Sequence, residues 1–296
     1  MSSSPLLRVW ASLVVLTGCI VGTAWATELQ ATRSGDKVVL SWRPNADADF
    51  YVQLATNLVD PMGWRIDTNA ISVAGETCSV TTVPTGAHRF YRLKAWEVLF
   101  DGTSTAVFRG YRKAAFPDAE WTVTASGELK TVFGSPAGHI ITTNQYDDFE
   151  LLWDWRAGTA GNGGVLYRVT EYYDQPYKSA PEYQLVDDSG YSLPGKQQLG
   201  AVYGLIAPTN RGTVSPGQWN QCRLLVQGDH VEHWLNGRRI AQFDFNSRAF
   251  NSLVAGSTFS SYTQFGKASK GFIAFQNWTP EIWYRNIRLR PLPSAP

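Results

Sequence analysis

Charge is scarce in this chain of 296 residues. Only 17% of residues are charged, and 26 basic groups nearly cancel 25 acidic ones. Such a balance provides no broad basic field, which argues against a nucleic-acid partner. Cysteine is scarcer still, with three in all, Cys19, Cys78 and Cys222. Their spacing suits no metal site, and Cys78 and Cys222 read as buried thiols rather than as a disulfide or a nucleophile. Helical patterning is almost missing as well. Apolar residues follow no sustained i, i+3, i+4 spacing, and the best helix candidate is the short run Ser247 to Val254.

Alternation is what the chain has in quantity. KVVLSW (37–42), TCSVTTV (77–83), RFYRLKAW (89–96), FELLWDWR (149–156), GVLYRV (164–169), HVEHWL (230–235) and IWYRNIRLRPL (282–292) repeat with a period of two, the signature of strands. The expected fold class is all-β. Asn236-Gly237, between two alternating runs, predicts a two-residue hairpin because both central positions take positive φ. Aromatic residues make up 13% of the chain, with 12 Trp and 13 Tyr. In a chain of low charge such rings either stack on sugar faces or fill a β core.

The longest apolar stretch opens the chain. Arg8 is the only charge among residues 1–26, Val9 to Ala26 is apolar or small, and Ala24-Trp25-Ala26 fits a cleavage site, so this segment reads as an export signal. Leu16-Thr17-Gly18-Cys19 is also similar to a lipobox, which would put a lipid anchor on Cys19. Either reading exports the protein, to the periplasm, the medium or the cell surface. Residues 27–96 form a first β unit and residues 97–296 a second. The strands expected to meet as the second unit closes are Val98 to Thr103 and Trp283 to Arg290.

PEYQLVDD (181–188) raises the functional question. As a strand it puts Glu182 and Gln184 on one face and Tyr183 and Leu185 on the other. A carboxylate beside an amide suits either a solvent-facing strand or the floor of a saccharide cleft. In FELLWDWR, Glu150, Asp154 and Arg156 share a face that lines a cleft or meets water, while the aromatic face belongs to the core. His230 and His233 lie three apart on a strand and so cannot share a metal.

Several segments occur together and in order: LFDGTS, HIITTNQYDDFELLWDWRAGTAGNGGVLYRVTE, PEYQLVDD, GAVYGLIAP, PGQWNQCRLLVQGDHVEHWLNG, FGKASKGFIAFQNW and IWYRNIRLRPL. As a set they resemble the 3-keto-disaccharide hydrolase (3-keto-glucoside hydrolase-like) family over residues 97 to about 292. The resemblance implies a concanavalin A-like jelly roll that acts on glycosides oxidised at C3. Residues 27–96 resemble, more loosely, a fibronectin type III-like module. Given the family resemblance, Glu182 is the expected base or metal ligand, and Asp187 is either a second catalytic or ligating carboxylate or, before Ser-Gly, a turn residue. A divalent metal on Glu182 and Asp187 is left open. Substrate contacts are expected from Glu150, Arg156, Asn162, Arg168 as partner of Glu182, Gln184, Tyr203, His233, Trp234, Gln276 and Trp278, with a turn role equally open for Asn162, a structural role for His233 and core packing for Tyr203 and Trp234.

The chain also departs from the family pattern. Gln276-Asn277-Trp278 stands where Gln-Asp-His is common, Gly271-Phe272-Ile273 replaces Gly-His-Ile, and Thr142-Thr143-Asn144 replaces a Thr-Lys pair. These neutral replacements keep a second expectation alive, a non-catalytic carbohydrate-binding protein on the same jelly-roll scaffold.

Overall fold

The computed structural model describes residues 12–15, 29–43, 50–56, 64–67, 69–84, 88–132, 138–212, 214, 217–278 and 281–292. The lipobox at Cys19 and the cleavage site at Ala24 to Ala26 lie outside the described residues. The chain divides into two compact units, Met1–Trp96 and Glu97–Pro296.

The first unit holds β1 (Ser12–Val15), β2 (Gln30–Ser34), β3 (Lys37–Trp42), β4 (Phe50–Ala55), β5 (Arg65–Ile66), β6 (Ser72–Ala74), β7 (Thr77–Thr82) and β8 (His88–Ala95). They form two four-stranded sheets, ordered β1-β8-β4-β5 and β2-β3-β7-β6. Leu29, Val38, Leu40, Trp42, Val52, Val80 and Tyr91 make its core, supplied by the inward halves of alternating strands.

The second unit is a two-sheet sandwich. Its strands are β9 (Glu97–Phe100), β10 (Phe108–Gly110), β11 (Trp121–Val123), β12 (Leu129–Thr131), β13 (Ile140–Thr142), β14 (Phe149–Ala157), β15 (Asn162–Val169), β16 (Glu182–Val186), β17 (Asn220–Gln227), β18 (His230–Leu235), β19 (Arg238–Asp244), β20 (Phe272–Asn277) and β21 (Ile282–Pro291). One sheet has five strands, ordered β10-β13-β20-β15-β16. The other has eight and runs β11-β12-β21-β14-β17-β18-β19, with β9 also paired to β21. The first and last strands of the unit therefore do meet. Asn236 and Gly237 take φ of 47° and 76°, joining β18 to β19 as the hairpin signal requires. The expected helix is α1 (Arg248–Ala255), where the Ser247 side chain accepts from the Phe250 amide, a standard N-cap.

Alternation also builds the core between the sheets. Phe149, Leu151, Trp153 and Trp155 of β14 point inward, against Val165 and Tyr167 of β15, Tyr183 and Leu185 of β16, and Ile273 and Phe275 of β20. Trp153 meets Tyr183 edge-on at 5.2 Å, and Phe275 meets Tyr284 edge-on at 5.2 Å. With these residues turned inward, the alternate residues of β15, β16 and β20 form the outward face of the five-stranded sheet.

Candidate functional site

Three strands and one flanking segment build a floor on that outward face. In the ladder Gly164 pairs with Gln184 of β16 on one side and with Gln276 of β20 on the other. Leu166 pairs with Glu182 and with Ala274. Gly163 pairs with Asn277, so one step further along Asn162 lies level with Trp278. On the free side of β16 the chain returns as residues 200–203. Tyr183 bridges Val202 antiparallel, the Tyr203 amide donates to the Glu182 carbonyl at 3.0 Å, and the Gln184 amide donates to the Ala201 carbonyl at 3.1 Å. Tyr203 is therefore the cross-strand neighbour of Glu182.

Over this floor lies a cavity of about 180 Å³ lined by Asn162, Tyr177, Glu182, Gln184, Tyr203, Phe259, Gln276 and Trp278. Tyr177 comes from the 3-10 turn Pro176–Lys178 and Phe259 from the turn Thr258–Ser261. The lining is two-sided in chemistry, with amides and one carboxyl below and rings at the walls. Trp278 is 47% exposed, so it stands at the rim.

Glu182 is the unusual member. It is only 6% exposed, no ion pair or side-chain hydrogen bond meets its carboxyl among the described residues, and burial alone pushes it up to about 8. Desolvation without a compensating partner disfavours the charged form, and such a carboxyl in a cleft is a functional candidate. Gly164 makes room for it. A Cβ on Gly164 would lie 2.6 Å from Glu182 Cδ, so the acid side chain crosses where another residue would carry its own. The Gln184 amide nitrogen donates to the Gln197 carbonyl at 3.2 Å and to Asn162 Oδ1 at 3.4 Å. That leaves the Gln184 side-chain oxygen without a donor among the described residues, open to a hydrogen-bond donor in the cleft. The Gln276 side chain has no hydrogen-bond partner among the described residues, although it is only 7% exposed.

Six of the twelve expected residues, Asn162, Glu182, Gln184, Tyr203, Gln276 and Trp278, therefore line one cleft. The other six lie elsewhere. Asp187 follows the end of β16, where its carboxylate accepts from the Ala160 amide at 2.8 Å and from the amide and hydroxyl of Ser189. It is a turn residue on the side of a separate pocket lined by Asp188 and Arg211, and it does not join Glu182. Glu150 and Arg156 face outward on the other sheet. Glu150 is held by Arg223 and Arg290. Arg156 pairs with Glu128 at 3.2 Å and packs between the Trp219 and Trp283 rings. Arg168 sits at a bulge with φ of 59°, donating to Asp148 and to the Asp147 and Gly228 carbonyls, so it is not the partner of Glu182. His233 is fully buried between the sheets, stacked on Tyr183 at 4.3 Å and bonded to the Tyr167 hydroxyl at 2.9 Å. Trp234 lies on the outer face of the eight-stranded sheet against Arg223, and its Nε1 donates to Glu232 at 2.8 Å.

The departures sort by the same alternation. Phe272 and Trp278 lie on the cleft side of β20, whereas Asn277 points inward, where its Nδ2 donates to the Glu120 carbonyl at 2.8 Å. The Thr142 hydroxyl donates to the Asn144 carbonyl at 2.7 Å and accepts from the Ile273 amide, which is a structural duty. The sequence reading missed Tyr177, Phe259 and Gly164. Only Gly164 carried a signal, since paired glycines inside a strand pattern mark a close approach.

Among the described residues no group of three or more His, Cys, Asp or Glu side chains converges. The cleft offers one carboxylate and neutral amides, while a hard divalent cation favours several anionic oxygens. Glu182 and Asp187 do not supply that set, since Asp187 is held in its own turn away from the cleft.

Residues 95–290 match a family profile described as a 3-keto-alpha-glucoside-1,2-lyase-like domain. A 3-keto-disaccharide hydrolase of Bacteroides thetaiotaomicron is 25% identical over 228 residues, covering 66% of this chain and 77% of that protein. Two solved candidate glycosyl hydrolases of Parabacteroides distasonis superpose on the chain. One is 27% identical with a TM-score of 0.62, over 67% of this chain and 94% of the other. The second is 25% identical with a TM-score of 0.55, over 67% of this chain and all of the other.

Proposed function

The chain belongs to the 3-keto-alpha-glucoside-1,2-lyase-like family, and from that membership we propose that it cleaves glycosides already oxidised to a ketone at C3. One observation carries the reading: the cleft floor holds a single carboxyl group, Glu182, without a partner. Direct hydrolysis of an ordinary glycoside uses two carboxyl groups on either side of the bond, about 5–9.5 Å apart. Among the described lining residues Glu182 has no such companion. A 3-ketone removes the need for one, because it acidifies the hydrogen on C2, and a single base can then start the reaction.

In the proposed sequence the Glu182 carboxylate takes the C2 proton, and the electron pair passes into an enolate at C3. The enolate collapses, C1=C2 forms, and the C1–O bond breaks to release the alcohol. Water added at C1 would complete a net hydrolysis. The neutral amides of Asn162, Gln184 and Gln276 hold sugar hydroxyls, and Trp278 offers its ring at the rim. This burial strengthens Glu182 as a base, since a carboxyl near pH 8 in acidity binds a carbon-derived proton far better than an exposed one.

A second reading is favoured by Trp278, which stands at the cleft rim where the family resemblance leads one to expect a histidine, while Phe272, in place of a second histidine, packs under Arg109 on the same sheet face. A non-catalytic carbohydrate-binding protein would gain ring surface in this way and would need no proton carriers. The test is to incubate the protein with a 3-keto-disaccharide and with its unoxidised parent, following release of free sugar. Release from the keto sugar alone, abolished in Glu182→Gln, supports the enzyme. Saturable binding with no release would replace it by the binding protein. We further read residues 1–26 as an export signal and residues 27–96 as a fibronectin type III-like spacer.

A further inference from the structure

We propose that Tyr203 is the general acid that protonates the departing C1 oxygen, working as a cross-strand pair with Glu182. The proposal rests on the 3-keto reading and adds a second catalytic residue to it. The backbone places the pair: with Tyr183 bridged to Val202, residues 182 and 203 lie directly opposite each other. Opposite residues in an antiparallel pair carry Cβ atoms about 4.5–5.5 Å apart on the same face. Both side chains line the same cavity. The Tyr203 hydroxyl has no hydrogen-bond partner among the described residues, so its proton is free to be given to a ligand. Tyr177, the other tyrosine of the lining, comes from the wall turn Pro176–Lys178 and has no such pairing with Glu182. The acidity of Tyr203 is lowered by burial and then by the nearby charge of Glu182, as expected for neighbours in one low-dielectric site.

The pair also closes the proton balance. The Glu182 carboxylate removes the C2 proton and becomes the acid. When C1=C2 forms, the C1–O electron pair stays with the leaving oxygen, which takes the phenolic proton of Tyr203. The Tyr203 phenolate then recovers a proton from the Glu182 acid across the strand pair. Both groups return to their starting states and no outside reactant is consumed in the elimination.

The test compares two leaving groups. A sugar alcohol needs a proton as it departs, whereas 4-nitrophenolate does not. Wild type and Tyr203→Phe would be assayed on a 3-keto-disaccharide and on 4-nitrophenyl 3-ketoglucoside. The expected result for Tyr203→Phe is a loss of about 100-fold or more in kcat/KM on the disaccharide, the usual scale of general acid catalysis, with a loss below about fivefold on the aryl substrate. Equal losses on both substrates, or no loss on either, would overturn the role of Tyr203 and leave the 3-keto reading standing. Failure of the wild type on both substrates would overturn that reading and this one together. The wild-type enzyme gives a check that needs no variant. Its disaccharide rate should fall on the alkaline side, above the ordinary tyrosine range, while the aryl rate should not, and parallel profiles would count against Tyr203.

Discussion

Glu182 ties the chemistry of this protein to its stability. With its acidity moved up to about 8, roughly a tenth of the carboxyl is ionised at pH 7. A base must be ionised, so kcat/KM on a 3-keto-glycoside should climb with pH and level off above about 8. A profile already flat from pH 5 would remove Glu182 as the base. The stability sign runs the other way. The unfolded chain releases this proton near the ordinary glutamate value while the native state keeps it, so stability falls as pH rises from about 4.5 through 8. Glu182→Gln should therefore abolish turnover while raising the melting temperature above pH 8 and flattening its pH dependence over that window. Gly164 belongs to the same device. Its φ is not in the left-handed region, so Gly164→Ala leaves the backbone at ease but drives a methyl into the Glu182 side chain. Turnover should drop about 100-fold, as displacements near 1 Å can cause, with the circular dichroism spectrum unchanged.

At the scale of elements, two strands show how face assignment separates chemistry from support. The outer face of β14 carries Glu150, Asp154 and Arg156, each paired across the eight-stranded sheet. Arg156 continues a chain of cation and ring contacts, Lys130 on Trp283, Arg156 on Trp283 and Trp219, and Arg285 on Trp219, at 4.0–5.0 Å. Glu150→Gln leaves Arg223 and Arg290 short of a charge. It should lower stability by about 1–3 kcal/mol, read by urea denaturation, while turnover per folded molecule stays at wild-type level. A loss of turnover at full folding would return Glu150 to the site. In β20, Asn277 donates inward to a backbone carbonyl. Asn277→Asp removes that donor and buries a carboxylate beside the carbonyl oxygen, so it should lower the melting temperature and add no activity. Trp278→His, on the cleft side of the same strand, is the substitution able to alter turnover.

Across the whole molecule, every residue placed in the cleft belongs to the unit Glu97–Pro296. A chain beginning at Glu97 should fold cooperatively and retain cleavage of the 3-keto substrate, and loss of activity in a folded chain of that kind would give the first unit a part in the site. The sequence by itself determined the period-two strands, the Asn236-Gly237 hairpin, the helix capped by Ser247 and the shared face of Glu182 and Gln184. Each of these rests on local backbone geometry, which neighbouring residues set. Alternation even separates Asn277 from Gln276 and Trp278 once the core side of β20 is known. What alternation leaves open is which sheet a polar face belongs to. Glu150 and Arg156 share a strand face as regular as that of Glu182 and Gln184, yet one face turns to paired arginines and the other to the cleft. Only the tertiary structure decided between them. It also brought Phe259 from a distant turn to the cavity wall, enclosed His233 between the sheets, and set Tyr203 opposite Glu182. Those contacts join residues far apart in the chain, and packing between sheets selects them, whereas the local pattern does not encode it.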